Sequence, residues 1–198
     1  METLSTRIMA EVAALSEATP IYAKALLHLG NRAAVDQSLS RLVRRGQLLR
    51  AGRGLYVRPI ETRFGPRTPS VEAVVNALQA ETGETIASSG AAAANTLGLT
   101  AQVPVRTVYL TSGPSRRLRF GAQTVELRHA PRWQLTFAGR PSGEVIRAMA
   151  WFGRERRAEL TRQLKRMLST QTVHELSSAR GQMPTWMAEE ISALAARA

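Results

Sequence analysis

Eight arginines fall between residues 41 and 67 (Arg41, Arg44, Arg45, Arg50, Arg53, Arg58, Arg63 and Arg67), against a single acid, Glu61. A guanidinium is permanently charged, planar and rich in N–H donors, so it pairs bidentately with phosphate oxygens or with the edge of guanine. Concentrated in one stretch, such groups suit a polyphosphate partner, because each neutralised phosphate releases condensed counterions. A solvated surface run is the competing reading, and charge alone gives the two equal weight. Membrane-surface binding fits less well, since the stretch is not one long amphipathic helix with bulky apolar residues opposite the charge.

The excess of basic residues extends along the chain. Its 198 residues hold 27 Lys+Arg against 15 Asp+Glu, a formal net charge of +12. The length suits one domain, or one domain plus a small module. At 44% hydrophobic and 21% charged, the composition is that of a folded protein rather than a disordered tail. With no cysteine, disulfides, thiolate nucleophiles and Cys-based zinc sites are excluded. Apolar runs stop well short of the roughly 18 residues of a spanning helix. The opening Met-Glu-Thr-Leu-Ser-Thr-Arg lacks a basic stretch followed by an apolar block, so no signal peptide and a cytoplasmic protein with no membrane partner are expected.

Three helical patterns and a hairpin precede Pro59. Leu4, Ile8, Val12 and Leu15 repeat at helical spacing. Thr19-Pro20 suits the start of a short second helix carrying Ile21, Ala25, Leu26 and Leu29 and stopping at Gly30-Asn31. A third helix is predicted over 32–45, with Val35, Leu39, Leu42 and Val43 inward and Gly46 just past its end. Residues 47–58 read as two short strands around a Gly52-Arg53-Gly54 tip. That order is the order of a winged helix-turn-helix.

Residues 59–70 contain three prolines without periodicity and read as a linker. Ser70 can cap a helix to about residue 80, and a second helical stretch follows near 88–97. Alternating runs at 105–110, 116–120 and 123–129 read as strands. Helical periodicity returns over 144–152, 154–168, 170–178 and 184–197. The predicted fold is therefore α+β: a winged helix-turn-helix at 1–58, a linker at 59–70, and a mixed domain with a small antiparallel sheet at 71–198.

On a helical wheel, the third helix sets Ala33, Gln37, Ser40, Arg41 and Arg44 opposite its apolar face. Arginine can bond guanine and glutamine adenine, while alanine and serine allow close approach to a groove. Arg32 lies within reach of a phosphate or base edge, and Asn31 can cap the helix or touch the backbone. Arg45 lies on the flank of this arc, and Arg50 and Arg53 belong to the hairpin. The candidate DNA-binding set is Arg32, Gln37, Arg41, Arg44, Arg45, Arg50 and Arg53. Tyr56 is assigned to the core. Arg116, Arg117 and Arg119 either extend the same path or face an acidic surface.

Catalysis finds little support. His28, His129 and His174 share no metal-ligand spacing, and Ser88-Ser89-Gly90 and Thr111–Ser115 lack a nucleophile elbow. Asp36 is the single aspartate, which leaves few carboxylates for a two-metal site. The expectation is a non-enzyme with no catalytic residues, no metal and no cofactor. Trp151, Phe152, Trp186 and Met187 are most simply core, and an exposed aromatic among them would mark an interaction surface.

Arg32–Gly46 with Arg53-Gly-Leu-Tyr-Val-Arg-Pro59 resembles the winged helix of AbiEi-type antitoxins. Gly90–Pro104, with its Asn95-Thr-Leu-Gly-Leu-Thr-Ala-Gln-Val-Pro104 segment, and Tyr109–Pro114 resemble that family's second domain. The resemblance covers about residues 1–135. It implies an antitoxin of a type IV toxin–antitoxin (abortive infection) system that binds repeats in its own promoter, a double-stranded DNA partner, and represses its operon. It also implies a second domain that counters a nucleotidyltransferase-like toxin, the other partner. The DNA-contact role carries over to Arg32, Gln37, Arg41, Arg44, Arg45 and Arg53. The alternatives are a stand-alone winged-helix regulator whose second domain senses a ligand, and an interaction module whose arginines meet an acidic protein.

Overall fold

The computed structural model describes residues 2–196 and is an α+β protein. Packing divides it into two compact units. One takes the residues up to Glu84 together with Arg116–Glu126, and the other takes Thr85–Ser115 and Leu127 onward. The boundary thus falls elsewhere than at the proline-rich stretch 59–70.

In the first unit α1 (Leu4–Ala14) is capped by Thr3, whose hydroxyl accepts the Thr6 N–H, and buries Ile8 and Val12. Leu15 lies past its end and is exposed. The helix predicted from Thr19 does not form. Ile21–Tyr22 is a short strand, β1, followed by a 3-10 turn at Ala23–Leu26. The reason is tertiary: Ile21 and Tyr22 lie opposite Tyr56 and Leu55, and the Ala23 N–H donates to the Gly54 carbonyl at 2.9 Å. A one- or two-turn helix has little stability of its own to set against such pairing.

Helix α2 (Arg32–Arg44) follows, capped by Asn31, whose side chain accepts the Ala34 N–H at 2.9 Å. It buries Val35, Ser38, Leu39 and Leu42 against Ile8, Val12, Ile21, Leu48 and Tyr56, while Val43 is half-buried. Gly46, with φ of 72°, lets the chain leave the helix in the left-handed region. Strands β2 (Leu49–Gly52) and β3 (Leu55–Val57) form the expected hairpin around Arg53, and β1 completes a sheet ordered β1-β3-β2.

Residues of the expected linker make a second hairpin, β4 (Ile60–Thr62) with β5 (Gly65–Arg67). Strands of three residues are too short for alternation to show in the sequence. Ser70 caps α3 (Val71–Thr82) as expected, its hydroxyl accepting the Ala73 N–H.

The next strands are β6 (Ile86–Ser88), β7 (Thr107–Thr111), β8 (Arg116–Phe120) and β9 (Gln123–His129), in the sheet order β6-β7-β9-β8. Within the first unit β8 packs beside β2, where a Cβ on Gly52 would sit 3.8 Å from both the Arg117 carbonyl and a Leu118 methyl. His28 Nε2 and the Glu11 carboxylate, 2.6 Å apart, tie the 3-10 segment to α1.

In the second unit α4 (Gly90–Thr96) packs its small side chains, Ala93 and Ala94, on α5 (Pro141–Phe152) at Ala148. Helices α6 (Arg157–Met167), α7 (Thr170–Ala179) and α8 (Thr185–Ala195) close a core of Val145, Ile146, Met149, Leu164, Leu176, Met187 and Ile191. Arg147 of α5 has no exposed surface. Its Nη2 donates to Glu144 at 2.8 Å and to the Ala138 carbonyl at 3.2 Å, and its Nε donates to the Ser88 hydroxyl at 3.3 Å. Ser88 in turn donates to the same carboxylate. Burial pulls the guanidinium pKa down, and Glu144 opposes that shift.

Two outcomes follow from these contacts. A Cβ on Gly143 would lie 1.9 Å from the Phe137 carbonyl oxygen, so Gly143→Ala should destabilise the second unit by about 1–3 kcal/mol, read by denaturant unfolding. The bond to Glu11 raises the His28 pKa above its ordinary value. The pair therefore stabilises the folded state below about pH 6.5 and loses its contribution as pH rises through the folded midpoint. An NMR titration should find that midpoint raised in the native chain and lowered by Glu11→Ala.

Candidate nucleic-acid interface

The amphipathic pattern of α2 divides its residues into a buried stripe and a charged one. With Val35, Leu39 and Leu42 held in the core, Ala33, Gln37, Ser40, Arg41 and Arg44 are exposed. Spacings of three and four residues place them along one side of the helix. The two small residues leave the backbone accessible there. Ser40 is turned back on the helix, its hydroxyl donating to the Asp36 carbonyl at 2.8 Å.

The predicted residues fall into two groups within the first unit. Arg32, Gln37, Arg41 and Arg44 lie on α2, with Arg45 at its C-terminal cap. Arg50 lies on β2, and Arg53 sits at the hairpin tip between Gly52 and Gly54, the latter with φ of 66°. Arg32 is engaged, its Nε 2.8 Å from the Asp36 carboxylate one turn on. Arg44 and Arg50 make long bonds of 3.4 Å to the carbonyls of Ser40 and Gly52. Arg41, Arg45 and Arg53 are exposed, and their side chains have no hydrogen bond or ion pair among the described residues. Three unpaired guanidiniums in water are charges free to meet an anion without first breaking an internal salt bridge.

The other basic residues separate by their partners. Arg58 folds back, its Nη2 reaching the Leu15 carbonyl at 3.5 Å. Arg116 pairs with Glu84 at 2.9 Å and Arg117 with Glu126 at 3.4 Å. Arg119, on β8, is exposed and has no partner among the described residues. The fold thus brings the strand of Arg116–Arg119 into the unit that carries α2. Tyr22 lies near this group; burial raises its pKa, and the charge of Arg116 acts against that rise.

One feature escaped sequence reading. Phe64 stands at the turn between β4 and β5, 87% exposed, with the Arg63 guanidinium 4.7 Å from its ring centroid. The signal was present in Arg63-Phe64-Gly65-Pro66, where Gly65 takes φ of 100° to make the turn. Without a visible strand on either side, the phenylalanine had no turn tip to occupy.

His28, His129 and the serines at 88 and 89 are occupied by structure, whereas His174 is exposed on α7. His129 Nδ1 lies 3.0 Å from the Gly113 carbonyl, Ser88 serves Glu144, and Ser89 caps α4. Among the described residues no three His, Asp or Glu side chains come together as a metal site, and no helix is long and apolar enough to cross a membrane.

The fold and this surface define a small α+β protein with an exposed basic helix face and basic hairpins. Residues 7–176 match the model of DUF6088, a family of unknown function, and the chain belongs to that family. No curated protein and no solved structure matches it.

Proposed function

We propose that the protein is a DNA-binding antitoxin, similar to the AbiEi type, that represses its own toxin–antitoxin operon and counters a nucleotidyltransferase-like toxin in the cytoplasm. In this reading its first unit is a winged helix-turn-helix. The observation that carries the reading is α2 itself, whose exposed side offers Gln37, Arg41 and Arg44 between small residues while its other side is locked in the core.

Supporting it is the order of elements. A helix, a short strand, a 3-10 turn, a longer helix and a hairpin succeed one another, with the sheet ordered β1-β3-β2. In this geometry α2 enters the major groove. Gln37 and Arg41 reach base edges, Arg45 contacts phosphate, and Arg53 follows the backbone or an adjacent minor groove. Arg32 exchanges its bond to Asp36 for a phosphate. The second unit engages or antagonises the toxin and performs no catalysis.

The test is fluorescence anisotropy on the DNA upstream of the gene and on a scrambled duplex, at matched salt. Preference for the upstream DNA is expected, and equal affinity for both would overturn sequence-specific repression. Arg41→Ala should cost about 1–3 kcal/mol on the preferred site and relax its sequence preference if it reads a base. Arg53→Ala should weaken all duplexes alike and reduce the slope of log affinity against log salt by about one unit.

A further inference from the structure

The β4–β5 hairpin presents the most exposed aromatic ring of the described residues, Phe64, at its turn. The last strand pair is Thr62 with Gly65, so Arg63 and Phe64 alone form the tip. The turn is locked around them. The Phe64 N–H donates to the Thr62 hydroxyl at 3.2 Å, and that hydroxyl donates to the Gly65 carbonyl at 2.7 Å.

The surroundings of the ring indicate what would cover it. Arg63 lies over its face, and Arg67 stands on the returning strand. Both guanidiniums are exposed, and neither has an acidic partner among the described residues. Glu61, the acid of this hairpin, lies at its root rather than its tip. That root is placed beside α2: Pro59, Ile60 and Glu61 line one cavity with Met9 of α1 and with Gln47, just past the C-terminal turn of α2. Strands of three residues extend about 10 Å. The tip therefore stands on the order of 10–20 Å from the arginine-bearing end of α2, the scale of one DNA groove and its neighbour.

A lone ring is too small a patch for a stable protein interface, which buries about 800 Å² per partner. Stable membrane anchoring likewise takes more than one apolar group. One apolar side chain does suffice to wedge into a base step, with cations on the phosphates beside it. We infer that, on duplex DNA, Phe64 wedges between two adjacent base pairs while Arg63 and Arg67 bind the flanking phosphates, unstacking that step and kinking the duplex. The inference rests on the DNA-binding reading and adds to it a contact outside α2 and the β2–β3 hairpin.

The full chain is titrated into duplexes from the region upstream of its gene, each carrying 2-aminopurine at a different adenine position. Anisotropy of an end label reports binding on the same samples. Unstacking brightens 2-aminopurine, so a rise confined to one step is expected. Phe64→Ala should abolish the rise and weaken binding about tenfold, as loss of one base–aromatic contact does. Its thermal midpoint should stay unchanged, because the ring is exposed. The Arg63→Gln, Arg67→Gln double variant should lower the slope of log affinity against log salt by about two units. If no duplex shifts the anisotropy, the DNA-binding reading fails and the wedge with it. If duplexes bind but none brightens, or if Phe64→Ala brightens them as the native chain does, the wedge alone is overturned. Phe64-dependent capture on phosphatidylglycerol vesicles, without brightening on DNA, would overturn it in favour of a membrane surface.

Discussion

Arg147 is a permanently charged side chain held entirely out of water, and the second unit is arranged around that fact. Stripping a guanidinium of its hydration costs several kcal/mol, and the cost is recovered only where geometry supplies an opposite charge and further acceptors. Here the acceptors come from separate stretches of chain: Glu144 one turn back on α5, the Ala138 carbonyl before that helix, and the Ser88 hydroxyl on β6. Arg147 Nη1 already has no hydrogen-bond partner among the described residues, so losing any one of these acceptors adds to an incompletely satisfied buried charge. The strand, the loop and the helix are therefore held in one mutual arrangement, which a purely apolar contact would fix less strictly. Gly143 completes the constraint, since the Phe137 carbonyl occupies the space its side chain would need.

The first unit solves the opposite problem. Its charges are kept in water, and the apolar stripe of α2 does the anchoring. Exposed guanidiniums at three- and four-residue spacing repel one another, a cost of a few tenths of a kcal/mol per pair on an isolated helix. Arg32 and Asp36 relieve it at the N-terminal end, whereas the last turn with Arg41, Arg44 and Arg45 has no acid to relieve it. The helix dipole favours cations there, so the charge is tolerable but still unneutralised. A polyanion would supply what the protein itself omits.

Legibility followed the length of each element. Helices of ten residues or more, such as α2, α3 and α7, repeat their apolar positions often enough to be read, and their caps at Asn31, Ser70 and Ser169 confirm where they begin. Ile21–Tyr22 and the β4–β5 hairpin were not legible because what decides them is a partner strand distant in sequence or a turn only a few residues long. The candidate DNA-binding residues could be named because a wheel sorts exposed from buried. Their pairing could not: nothing in the composition distinguishes Arg32, bonded to Asp36, from Arg41, which has no partner among the described residues.

That difference bears on how the net charge of +12 should be understood. A total says only that anions are attracted. What a guanidinium does depends on the surface beside it: on α2 the exposed arginines stand in water among small residues and a glutamine. Arg147, closed in by Glu144 and Ser88, acts on the fold alone. The same residue type thus works in two environments, and its role in each is set by what lies within a few ångströms rather than by the number of arginines in the chain.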